Sequence, residues 1–128
     1  MRAGKLPSSA RVLLAGVRIV NGAASLFAPA TFARRLGVEP ETNGPTLYAL
    51  RLFGVRTIFI GADLLSRSPE VRAHALRQAV RVHLSDALAA AIAGATGLLP
   101  RKGARTALVT SSMNTVLAVI AQRALPPR

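Results

Sequence analysis

The sequence predicts an all-α fold: a four-helix transmembrane bundle with short interfacial helical turns after the first helix and before the third. Three observations carry this expectation. Thr106–Gln122 and Ala87–Pro100 contain no charged residue, whereas every helix of a small soluble bundle needs a wet face. Charged residues make up 17% of the chain, below the roughly 25% usual in soluble domains, and the deficit falls on Glu and Lys. Clusters of Pro and Gly divide the 128 residues into four long apolar segments, so that residues 1–128 form one domain able to cross a bilayer about four times.

The elements follow in chain order. A first helix is expected from Arg11 to Ala28, where Pro29 removes the next helical hydrogen bond. Thr31–Leu36 reads as one or two amphipathic turns closed by Gly37, and Glu39–Pro45 is a loop of turn formers whose Pro45 suits the first turn of a second helix, Thr46–Ser66. Ser68-Pro69-Glu70 is a helix start: a capping hydroxyl, a first-turn proline and an acid at the positive end of the helix dipole. From Glu70 to Arg81 that helix is amphipathic, with Glu70, His74, Arg77 and Arg81 on one face, and from Val82 to Leu99 it is apolar and small. An interfacial stretch feeding a third span, stopped by Pro100, is the reading. A fourth span runs over Ala104–Gln122, and the tail ends in Pro126-Pro127-Arg128. Ala28-Pro29-Ala30 resembles a signal-peptide cleavage site, but Arg18 and Asn21 interrupt the apolar run before it, so a retained first helix is expected.

The net charge of +12 comes from 15 Arg and 2 Lys against five acids. The arginines are scattered singly or in pairs and no aromatic residues interleave with them, which excludes a nucleic-acid platform. Arginines flanking apolar segments instead fit anionic lipid headgroups, making membrane lipids the expected partners. Without cysteine there is no disulfide or thiolate chemistry. Outside the apolar cores, Arg2, Lys5, Arg11, Arg67, Arg72, Arg77, Arg81, Arg123 and Arg128 fall on one side and Arg34, Arg35, Arg101, Lys102 and Arg105 on the other. This asymmetry predicts a multi-pass cell-membrane protein with both termini cytoplasmic.

Asp63 and Asp86 are embedded in apolar sequence, as are Arg18, Arg51 and Arg56. Charges in such surroundings cost several kcal/mol unless paired or neutralised, so a buried ionic cluster is expected. Arg18, Asn21, Asp63, His83 and Asp86 are predicted to converge in the cytoplasmic half of the bundle. Arg56 and Asp63 are seven residues apart on one face, about 10 Å along the axis, so each is expected to pair across helices. Such a cluster serves as a ligand pocket, a proton relay or a purely structural lock. The surplus of arginine favours a polar or anionic headgroup. His83-x-x-Asp86 with Asp63 is a weak metal pattern, and no cofactor is expected. Gly54 and Gly61, Ala87-Ala91-Ala95, Ala90 and Gly94, and Ala93 and Gly97 permit close helix approach, within one chain or in a homo-oligomer. Thr106, Thr110 and Asn114 form a stripe read as an interhelical hydrogen-bond seam.

Leu26-Phe27-Ala28-Pro29 with Ala33–Gly37, and Arg51-Leu52-Phe53-Gly54-Val55-Arg56 with Gly61–Leu65, resemble motifs of small bacterial four-helix membrane proteins in the company of DoxX-like proteins. The resemblance covers about the first half of the chain. It implies a four-helix membrane fold and carries over no catalytic residue. The function expected is non-catalytic: binding of a lipid-like or amphipathic molecule at the Arg/Asp cluster, or service as an accessory subunit of a larger membrane complex. Two other readings fit the same residues, a membrane-embedded enzyme or proton-coupled carrier using Asp63 or Asp86, and a soluble basic helical bundle.

Overall fold

The placement of proline and glycine sets the helix boundaries in the computed structural model, which describes residues 5–125. Arg2, Arg128 and the Pro126-Pro127-Arg128 tail lie outside the described residues. Five α-helices occur among these: α1 (Lys5–Phe27), α2 (Pro29–Arg35), α3 (Gly44–Leu64), α4 (Pro69–Ala95) and α5 (Arg101–Gln122), with a 3-10 turn at Pro40–Thr42 before α3. No strand is found among the described residues.

α1 begins six residues before the expected Arg11, because Pro7 falls in a first turn whose amide has no helical acceptor anyway. α2 ends at Arg35, and Gly37 follows with φ of 76°, a left-handed conformation that glycine adopts without steric cost. Ser68 caps α4 as expected, its hydroxyl oxygen accepting from the Val71 amide at 3.3 Å. The amphipathic stretch and the third apolar segment are one unbroken helix of 27 residues. That helix stops at Ala95 and not at Leu99, because Gly97 takes φ of 72° and the Leu99 amide folds back onto the Ala93 carbonyl.

The four long helices run alternately up and down. α1 lies against α3 and α4 against α5; the two pairs meet mainly through α1 and α5, more sparsely through α3 and α4, which leaves α1 and α4 on a diagonal. Gly22 and Gly54 bring α1 and α3 together: a Cβ on Gly22 would stand 2.8 Å from the Gly54 carbonyl oxygen, and one on Gly54 2.6 Å from that of Gly22. Gly54 is legible as a contact glycine from its spacing to Gly61; Gly22 is not. Ala87 and Ala90 are buried as close contacts require, while Ala91 and Ala95 face outward and Gly97 lies beyond the helix. Long polar side chains tie the ends: Arg11 donates to the Leu64 carbonyl and Gln122 to that of Leu76.

Small side chains fill the core, and most of the large apolar ones do not. The core is mostly alanine, with Leu14, Leu64 and Leu76 towards the chain-terminal end, and it encloses Arg18, Ser25, Thr57, His83 and Asn114. Large apolar side chains point away from it on every long helix, among them Val20 on α1, Phe59 on α3, Leu88 on α4 and Val109 on α5, all at least 60% exposed. Two helices, α1 and α5, are long and apolar enough to cross a membrane by length and composition. α3 and α4 carry more charge: Arg51, Arg56 and Asp63 on the one, and seven ionisable side chains from Glu70 to Asp86 on the other.

Candidate functional site

Arg18 is the residue around which the site forms. It is the fourteenth residue of α1, beyond the midpoint, and only 3% exposed. From there it crosses the diagonal to α4, where His83 and Asp86 stand one turn apart. Arg18 Nη1 lies 3.2 Å from His83 Nδ1 and 3.8 Å from Asp86 Oδ2. A guanidinium can only donate, so His83 Nδ1 accepts and the ring proton sits on Nε2. The Asp86 contact is an ion pair at a distance too long for a hydrogen bond. The cluster therefore lies at mid-bundle and not within one terminal half, because α4 starts at Pro69 and His83 is its fifteenth residue.

Above this contact is a cavity of about 360 Å³. Its polar side is made by Arg18 and Asn21 of α1, Thr57 of α3, Asp86 of α4 and Asn114 of α5. Phe32, Leu36, Leu50, Phe53 and Leu99 form apolar walls, and Ala89, Ala90 and Ala93 keep the α4 side open. The small residues of α4 and the sparse contact between α3 and α4 are what make room for it. Ser25 donates to the Leu50 carbonyl at 2.6 Å and fixes one wall.

Several polar atoms around the cavity are buried and lack a hydrogen-bond partner among the described residues: Arg18 Nε and Nη2, Thr57 Oγ1 and Asn114 Oδ1. His83 Nε2, just behind Arg18, is in the same condition. Each such group forgoes about 1–3 kcal/mol. The lining thus combines a donor (Arg18), acceptors (Asn114, Asp86) and the hydroxyls of Thr106, Thr110 and Ser111 with aromatic and aliphatic side chains. That arrangement matches a molecule with a polar head and an apolar body.

The structure brings Arg18, Asn21, His83 and Asp86 together and leaves two predicted residues apart. Asp63 is exposed near the end of α3 and has no ion-pair partner among the described residues. Arg56 is exposed too, its guanidinium 5.9 Å from the centroid of the Phe53 ring. Their shared face is the outward face of α3. Arg51 also faces outward, so the interior holds one arginine and one aspartate with no surplus of positive charge. With Asp63 elsewhere, His83 and Asp86 lack a third ligand, and no group of three potential metal ligands occurs among the described residues. Thr106, Thr110 and Asn114 line the cavity and form no interhelical bond among the described residues; the Thr106 hydroxyl donates within α5, to the Lys102 carbonyl. Thr57 escapes a reading of the sequence, since its hydroxyl in an apolar segment reads as self-satisfied on its own helix. Comparison with protein-family models, curated proteins and solved structures gives no match.

Proposed function

We propose that the chain is a non-catalytic, multi-pass integral membrane protein whose mid-bundle cavity binds a lipid-like amphipathic molecule, head against Arg18, Thr57 and Asn114, apolar body along Phe32 and Phe53. The observation that carries this reading is the set of buried polar atoms, unpartnered among the described residues, on side chains that line a cavity of mixed polar and apolar walls. A head offering an acceptor to the guanidinium and a donor to the Asn114 carbonyl would satisfy groups the protein leaves idle.

The membrane setting, with α1, α3, α4 and α5 as four spans, is supported by the outward apolar side chains of all four, while Arg51 and Arg56 of α3 and Arg81 of α4 are cationic residues that face outward within the helices. Lys5, Arg11, Arg67, Arg72, Arg77 and Arg123 sit towards the end holding both termini; Arg34, Arg35, Arg101, Lys102 and Arg105 sit at the other. The heavier count favours cytoplasmic termini. The resemblance to DoxX-like proteins implies the same setting. Asp86, the acid inside the cavity, favours a proton-coupled carrier as the second reading, and Asp63, outside it, drops from that role.

The test is mass spectrometry of the chain purified in mild detergent from native membranes. A stoichiometric amphipathic adduct that disappears in Thr57→Val/Asn114→Leu supports binding at the cavity. A bare chain, or an adduct indifferent to the double substitution, contradicts it.

A further inference from the structure

A second cavity lies at the chain-terminal end of the bundle, between the start of α1, the start of α4 and the end of α5, with a volume of about 510 Å³. Three guanidinium side chains line it: Arg11 from α1, and Arg72 and Arg77 from α4. None of the three has an ion-pair partner among the described residues, where the pairs are Arg18–Asp86 and Arg34–Glu41. Arg11 and Arg72 are held by backbone carbonyls, each through Nη1: Arg11 to Leu64, and Arg72 to Ser66 and Arg67. Their Nε and Nη2 donors make no such bond among the described residues. Glu70 also lines the cavity, but its carboxylate takes the Ser68 hydroxyl at 2.7 Å, leaving a surplus of two positive charges among the lining residues.

We propose that this cavity is an anion site for a phosphate group, and specifically for the headgroup phosphate of an anionic phospholipid. Arginines pre-positioned on carbonyls present planar N–H edges to a tetrahedral oxyanion, the geometry of bidentate phosphate recognition. The apolar lining of Leu76, Ala121 and Leu125 suits the glycerol and first methylenes of a lipid better than a hydrated ion. Leu6, 65% exposed, continues that apolar edge next to lining Pro7. Basic pockets between spans on the cytoplasmic side are where anionic headgroups bind. The lipid source rests on the membrane reading above; the phosphate chemistry does not.

The experiment takes the full chain in nanodiscs of phosphatidylcholine doped with phosphatidylglycerol, transfers it to detergent and counts retained lipids by native mass spectrometry. The wild type is expected to retain phosphatidylglycerol over phosphatidylcholine. Arg77→Gln, which breaks none of the carbonyl bonds above, should lower that retention about tenfold, and Glu70→Gln should raise it. Arg81→Gln, one turn further along α4 and outside the cavity, should leave it unchanged. Equal loss in Arg77→Gln and Arg81→Gln, or no loss in Arg77→Gln, overturns the site. In a separate arm inorganic phosphate is added to the lipid-free protein: a rise in unfolding temperature absent from Arg77→Gln, with no lipid preference, keeps the phosphate site and overturns the lipid source. Should the chain prove soluble without detergent, the membrane reading fails and the phosphate arm alone still decides the site.

Discussion

Thr57 and Asn114 are where this interior departs from ordinary packing. Each buries a polar atom without a partner. Thr57→Val, nearly isosteric, should therefore raise the stability of the ligand-free protein by about 1 kcal/mol, while weakening retention of the proposed guest. Unfolding in detergent, with and without prior delipidation, measures both; a destabilised ligand-free Thr57→Val would mean the hydroxyl has a partner after all. Asp63→Asn should shift stability by less than about 0.5 kcal/mol, since the side chain is exposed and unpaired among the described residues. At this scale the sequence is legible in part. Arg18, His83 and Asp86 stand out because charge and imidazole are costly in apolar segments. Arg56 and Asp63 fall in with them on sequence alone, because a seven-residue spacing tells which residues share a face, but not whether that face turns inward.

The helices are legible where proline, glycine or a capping hydroxyl marks them. Ser68-Pro69-Glu70 opens α4, and Pro45 sits in the first turn of α3. Lengths are less legible: α1 reaches back to Lys5, and α4 ends early at a glycine whose left-handed backbone no periodicity announces. Gly22 and Gly16 separate two uses of glycine within α1. Gly22→Ala should cost about 1–3 kcal/mol by forcing α1 off the Gly54 carbonyl, whereas Gly16, where a Cβ would meet nothing within 4 Å, should accept Ala with a gain of up to about 1 kcal/mol. Thermal unfolding of the two variants checks the contrast. The amphipathic start of α4 also carries a pH dependence. The Ser68 hydroxyl, then the backbone amide of Glu70 itself, hold the Glu70 carboxyl below its usual 4.5. A lowered folded-state value stabilises the protein above 4.5 and loses that contribution as pH falls through it, so Glu70→Gln should flatten the acid limb of the stability profile.

Across the whole molecule a few polar side chains are enclosed in a small-residue core while many large apolar ones face outward beside Arg51, Arg56 and Arg81, and that distribution joins the residue and element scales. In water the outward Val20, Phe59, Leu88 and Val109 side chains would be a penalty with no return; under the proposed membrane setting they would face hydrocarbon, and the buried Arg18–His83–Asp86 contact would pair polar groups embedded in it. The uncharged stretches of α5 and of the end of α4 are what raise this setting as an expectation from the sequence; the structure adds that α1 and α5 are long and apolar enough to cross a membrane. The cavity itself is not readable, because it arises from how far apart α3 and α4 lie, a property of three-dimensional packing to which no single segment testifies. The most direct measurement is extraction of the expressed chain from cell membranes. The account predicts that it stays in the membrane pellet through an alkaline carbonate wash and enters solution only with detergent. Release by carbonate, or a monodisperse chain in plain buffer, would contradict it.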